Sequence, residues 1–224
     1  MNGGLFAAID LYCERTGPGF WAEPVNALTN LAFIAAGLWG VRAARREDAG
    51  RFVEILGWWV VVIGIGSGLF HTFANRLSAP ADVLPIVSFT LAYTLFNLRR
   101  FLGLGWGRAV LGVVAFFAAA GLATAALPGW LHAATNSTTM YLPALLALVF
   151  FGGLEVATGR RVGWYNLAAA AIFVVSALFR MIDPTVCGGF PLGTHFLWHL
   201  LNGLMLGVVL AAAVRHGAPR AARR

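Results

Sequence analysis

The stretch VEILGWWVVVIGIGSGLFHTFA, residues 53 to 74, has an acid near its start and a histidine near its end. Almost everything between them is aliphatic, aromatic or glycine. As a helix, a run of that length rises about 33 Å at 1.5 Å per residue. That is enough to cross the roughly 30 Å of hydrocarbon in a bilayer. The polarity does not alternate, so the run does not read as a half-buried strand.

The same pattern recurs along the chain. Spanning helices are predicted over residues 25–43, 53–74, 81–98, 108–127, 138–157, 162–180 and 194–214. The breaks between them, such as ARREDAGR, ANRLSAP, LPGWLHAATNS and DPTVCGGFPLG, gather Gly, Pro, Asn and Arg, as loops do. Only 11% of the 224 residues are charged and 59% are hydrophobic, against about 25% charged in soluble domains. The expectation is an all-α, multi-pass integral membrane protein, a single seven-helix domain over residues 1–224. Residues 1–24 form a segment before the first span and 215–224 a basic tail. The start, MNGGLFAAIDLYCERTG, lacks the basic opening and long apolar run of a secretory signal.

Charge orients the bundle. All sixteen basic residues are arginine. With the N-terminus outside, thirteen of them fall on the inner side, leaving only Arg15, Arg76 and Arg180 outside. The positive-inside rule therefore predicts N-out and C-in. The net charge of +7 reads as this topology signal. The arginines are scattered over short segments with no reader motif, so no nucleic-acid partner is expected. The bilayer and a membrane lipid are the expected partners, and no protein partner is predicted. The absence of lysine and the wealth of Ala and Arg fit a high-GC bacterial genome, which makes the outer side a periplasm.

Both cysteines, Cys13 and Cys187, fall on that outer side. An oxidising compartment permits a disulfide between them, and two free thiols are the alternative. Sequence does not supply the geometry that decides.

Among five histidines, His132 and His216 read as ordinary interface residues, while His71, His195 and His199 fall inside predicted spans. His195 and His199 are four apart in HFLWH, hence on one helix face, the arrangement in which two imidazoles chelate zinc. His71 lies near the outer end of the second span, at matching depth. Ser67 lies one turn deeper on the same face. Asp82 opens the third span, where a carboxylate also suits a helix N-terminus, with Ser78 as a candidate cap. Ionisable groups inside a bilayer are costly and mark function. Three histidines with an open fourth position form a catalytic zinc site. Phe196 and Trp198 read as packing residues.

At these residues the chain resembles the alkaline ceramidases and the wider superfamily of seven-helix membrane hydrolases that includes the adiponectin receptors. Residues 10–30 (DLYCERTGPGFWAEPVNALTN), SGLFH at 67–71 with ADVLP at 81–85, and HFLWH at 195–199 carry the likeness, in the family's order. The resemblance implies zinc-dependent hydrolysis of the amide bond of a ceramide or related N-acyl lipid, yielding a fatty acid and a sphingoid-type amine. It implies His71, His195 and His199 as zinc ligands, Asp82 as acid/base and Ser67 as the hydroxyl that helps hold the reacting oxygen. It implies a Cys13–Cys187 disulfide, and calcium bound by Asp10, Glu14 and Glu23. Asp10 lies one residue further from Cys13 than the family pattern, and Thr16 stands where the animal enzymes tend to have asparagine. The ordinary reading of those acids is a solvated interface segment anchored by Phe20 and Trp21.

Two other functions compete. A haem-binding membrane cytochrome would use the same histidines as axial ligands. A zinc-braced receptor of the same superfamily would close the site with a fourth protein ligand such as Asp82.

Overall fold

The computed structural model describes residues 4–217. Among them the secondary structure is helical, apart from one isolated bridge between Ala8 and Asn75. Seven helices are long and apolar enough to cross a membrane: Pro24–Arg46, Arg51–Phe73, Ala79–Phe101, Trp106–Ala125, Thr138–Ala157, Val162–Val186 and His195–His216. They are called the first to seventh spans below. The positions match the sequence expectation, and the chain is a multi-pass membrane protein.

Each span packs on its neighbour, and the seventh returns against the first and also touches the second. The ring therefore closes, and it sets HFLWH beside SGLFH. The core lies between the first, second, third, sixth and seventh spans, around Phe33, Leu56, Ile63, Phe89, Phe173 and Leu210. The fourth span is the least buried of the seven and rests on the third and fifth through Leu98, Ala109, Ala147 and Phe151.

Three boundaries differ from expectation. The sixth span runs to Val186, carrying Asp183 and Pro184 inside the helix rather than in a loop. A proline in a last turn removes only one hydrogen bond from a ladder about to end, and Asp183 is wholly buried there. Ser78 does not cap the third span with its side chain; its hydroxyl donates to the Asn75 carbonyl instead. His216 closes the seventh helix with its ring against Tyr165 rather than lying in a tail. The remaining tail, 218–224, with Arg220, Arg223 and Arg224, lies outside the described residues.

The segment before the first span folds over one end of the bundle. Ile9 N–H donates to Ala74 O at 2.7 Å and Leu77 N–H to Leu5 O at 2.9 Å. The disulfide expected by resemblance is present: Cys13 is bonded to Cys187, with Cα atoms 5.1 Å apart. It ties this segment to the loop before the seventh span. Tyr12 is thereby held inside, 7% exposed, while Phe20 and Trp21 stay outside, in edge-to-face contact.

Candidate metal centre

His71, His195 and His199 meet under that segment. Their ring centroids are separated by 5.1 Å (His71–His195), 4.6 Å (His71–His199) and 4.6 Å (His195–His199). One nitrogen from each lies within 4.8 Å of the other two. Each histidine is 1% exposed.

Neighbouring groups fix each ring. His71 Nδ1 lies 2.6 Å from Glu23 Oε2. A carboxylate only accepts, so Nδ1 carries the proton and Nε2 is left bare. His199 Nδ1 lies 3.0 Å from Thr29 Oγ1. The Thr29 hydroxyl already donates to Val25 O at 2.8 Å, so His199 donates through Nδ1 and its Nε2 is bare as well. His195 stacks on the Tyr12 ring, centroids 3.6 Å apart and 14° from parallel. Its Nδ1 is buried without a hydrogen-bond partner.

The backbone under His195 is held by Asp183. Oδ1 accepts from the N–H groups of Thr194 at 2.6 Å and His195 at 2.9 Å, while Oδ2 accepts from Cys13 N–H at 3.0 Å. A carboxylate thus satisfies the unpaired donors at the start of the seventh helix. Gly193 makes room for it. Its φ of +68° suits glycine, and a Cβ there would collide with Asp183 Oδ1 and lie 2.7 Å from Cys13 Cβ.

This donor set fits a metal ion. Two imidazoles present bare Nε2 atoms, and the third has an orphaned nitrogen that costs free energy unless it is satisfied. Three neutral nitrogen donors suit zinc with one position open. The rings are too close together to admit a porphyrin plane between them, which disfavours the cytochrome.

The other expected residues are placed as follows. Ser67 is buried one turn below His71. Asp82 is half-buried in the first turn of the third span and is not part of the three-histidine group. Gly66 lets that turn approach, since a Cβ there would strike the Ala81 carbonyl and lie 3.7 Å from Asp82 N. The first turn of the third span therefore lies against the second span at Gly66, the residue before Ser67. Trp198 packs between Tyr141 and Phe173, at centroid distances of 4.9 and 5.7 Å.

Among the described residues the three acids suggested for calcium form no group with ligand atoms gathered as those of the histidines are. Glu14 accepts from Val25 N–H at 2.7 Å and Asn26 N–H at 2.8 Å, capping the first span. Glu23 is buried, accepting from Arg15 Nε, Asn26 Nδ2 and His71 Nδ1. Asp10 is exposed. Calcium wants six or more oxygen ligands, and here the carboxylates of Glu14 and Glu23 are committed to N–H donors beside a guanidinium. As placed, the segment presents no gathered set of oxygen ligands for calcium.

Electrostatics in this segment follow from burial and pairing. Burial pushes Glu23 upward, but its bond to His71 and then to Arg15 outweigh burial and hold the carboxyl below the usual range. Burial raises the Tyr12 phenol well above its ordinary value, with Arg180 opposing.

Sequence reasoning missed the roles of three residues. Arg180, read as an outer charge, is 5% exposed. It donates to Asn136 O and Thr138 Oγ1 and faces the Tyr12, Tyr141 and Trp198 rings. Glu23, expected either as a calcium ligand or as a solvated acid, is buried and bonded to His71 Nδ1. Asp183, read as loop, orients His195. The turn-rich Gly17-Pro18-Gly19 between Arg15 and Glu23 was the available hint that the segment doubles back.

Below the histidines a largely apolar cavity opens among the spans. Tyr141, Trp198 and Asn202 line its upper part, and Tyr93, Asn97 and Asn166 also line it. Asn202 is three residues beyond His199 on the same helix.

Fold and site together define a class: a seven-helix membrane protein with three buried imidazoles gathered at one end of the bundle, placed so that they could hold a metal ion. Within that class the chain belongs to the ceramidase family, whose model, described as Ceramidase, matches residues 12–221. No curated protein matches it.

Proposed function

We propose that this protein is a zinc-dependent amidase of the membrane, cleaving the N-acyl bond of a ceramide or a related N-acyl lipid. The observation that carries the reading is the meeting of His71, His195 and His199, with one nitrogen of each within 4.8 Å of the others. Membership of the ceramidase family supports the bond type.

Zinc held there would supply Lewis acidity toward the amide carbonyl and toward water. Asp82 would take the proton of the attacking water and return it to the departing nitrogen. The Ser67 hydroxyl would donate to the carbonyl oxygen as charge develops on it. Water adds to the carbonyl carbon, the C–N bond breaks, and a fatty acid and an amine leave. The cavity below Trp198 and Asn202 would take an acyl chain, leaving the amide at histidine depth. Asp82 stands outside the histidine group, which favours an open site over a zinc-braced receptor. The disulfide lies at the same end as the histidines, which supports an oxidising, non-cytoplasmic side for the site. For a bacterial inner membrane that side is the periplasm.

The test is metal analysis of the purified protein together with incubation on a panel of N-acyl lipids, read by mass spectrometry. The expected result is one zinc per chain with release of fatty acid and amine. Zinc at full occupancy with no product from any N-acyl lipid overturns the reading.

A further inference from the structure

The chemistry above makes no use of a buried ion pair in the N-terminal segment. Arg15 is 5% exposed and Glu23 1%. Arg15 Nε donates to Glu23 Oε1. Its Nη1 donates to the Gly17 carbonyl and its Nη2 to the His71 carbonyl, each at 3.1 Å. The His71 carbonyl belongs to the last turn of the second span. Carbonyls there lack intrahelical partners and carry the negative end of the helix dipole. The guanidinium is therefore clamped between a carboxylate and a helix C-terminus, its planar fork satisfied on three sides.

Glu23 passes this on. Its second oxygen accepts from His71 Nδ1 at 2.6 Å and from Asn26 Nδ2 at 3.2 Å. A buried carboxylate persists as an anion only when it is paired and hydrogen-bonded. An anionic Glu23 keeps the His71 proton on Nδ1 and turns Nε2 to the shared centre. Carboxylates behind ligating histidines set tautomer and orientation in this way.

We infer that Arg15 is a positioning residue for the metal centre, acting through Glu23 on His71, and that its guanidinium supplies the positive charge for which the N-terminal acids would otherwise need calcium. The inference rests on reading the three histidines as a metal site. It goes beyond that reading because it assigns the assembly of the site to an internal cation.

The experiment measures zinc affinity by competition against a chromogenic chelator, for detergent-purified wild type, Arg15→Ala, Arg15→Lys and Glu23→Gln. Melting temperature and binding of radioactive calcium are read on the same samples. Arg15→Ala and Glu23→Gln should each weaken zinc binding by about 10–100-fold. The double variant should lose no more than either alone, and Arg15→Lys should recover part of the loss. Wild type should bind no stoichiometric calcium.

A lowered melting temperature with unchanged zinc affinity in both Arg15→Ala and Glu23→Gln would make the pair merely structural and overturn the inference. So would stoichiometric calcium binding by wild type that Glu23→Gln abolishes. If Arg15→Ala does not fold, Arg15→Lys and Glu23→Gln give the same decision. Zinc affinity does not depend on turnover. A wild type that binds zinc but cleaves nothing overturns the amidase reading and leaves this one standing, whereas a wild type that binds no zinc overturns both.

Discussion

Asp183 Oδ1 accepts the backbone N–H of His195 at 2.9 Å, while its Oδ2 accepts that of Cys13 at 3.0 Å. One buried carboxylate thus joins the sixth span, the start of the seventh and the N-terminal segment. It sits against the Cys13–Cys187 bridge and directly on the backbone of a histidine of the candidate metal centre. Precision at His195 is inherited from this junction, because a helix fixed at its first N–H groups has its first side chains fixed in direction.

Replacing Asp183 with alanine should therefore reach the metal. The variant leaves three N–H groups without that acceptor, the His195 one buried and those of Cys13 and Thr194 partly buried, at about 1–3 kcal/mol for a buried group left unsatisfied. A lower melting temperature and reduced zinc content should appear together. Asp183→Asn, which keeps an acceptor oxygen, should fall between alanine and wild type in both measurements.

The histidines and Asp82 should separate binding from chemistry. His199→Ala should abolish stoichiometric zinc by elemental analysis, and lipid cleavage with it. Asp82→Ala should keep its zinc and lose about 10²–10⁴-fold in kcat, the usual range for a general acid–base. Full activity in Asp82→Ala removes it from the mechanism.

Ser67→Ala should act on the rate of the chemical step. Loss of a single donor to a developing oxyanion costs about 10²–10³-fold in kcat. KM should change little, since that contact strengthens only as charge appears. An effect confined to KM would place Ser67 in ground-state binding instead.

The disulfide closes a loop with a sequence separation of 174. Cys13→Ser with Cys187→Ser should lower stability by about 2–5 kcal/mol, the range for removal of a native bridge. Because the bridge anchors the segment that bears Tyr12, Arg15 and Glu23, zinc affinity should fall as well. Thermal melts with zinc titration on the double variant check both.

The seven spans were legible because bilayer thickness and helix rise leave little freedom once apolar blocks of that length are present. His195 and His199 could be paired from their spacing, since a four-residue step returns to one helix face. Matching His71 to them needed only depth, which topology supplied. Tertiary structure decided the rest. Whether the second and seventh spans touch depends on closure of the whole ring. That Glu23 backs a histidine depends on a turn bringing Arg15 and Glu23 together beneath His71. Arg180 reads as a loop-side charge in sequence and proves to be packed among aromatic rings.

Sequence by itself determined the class of fold, the residue types at the site and their depth, because these follow from local periodicity and from the solvent the helices must tolerate. Only the tertiary structure decided which nitrogen of His71 and of His199 is bare and which acid is spent on the protein's own donors. Those are set by contacts between segments far apart in the chain, at distances of about 3 Å, and local sequence pattern carries no information at that range.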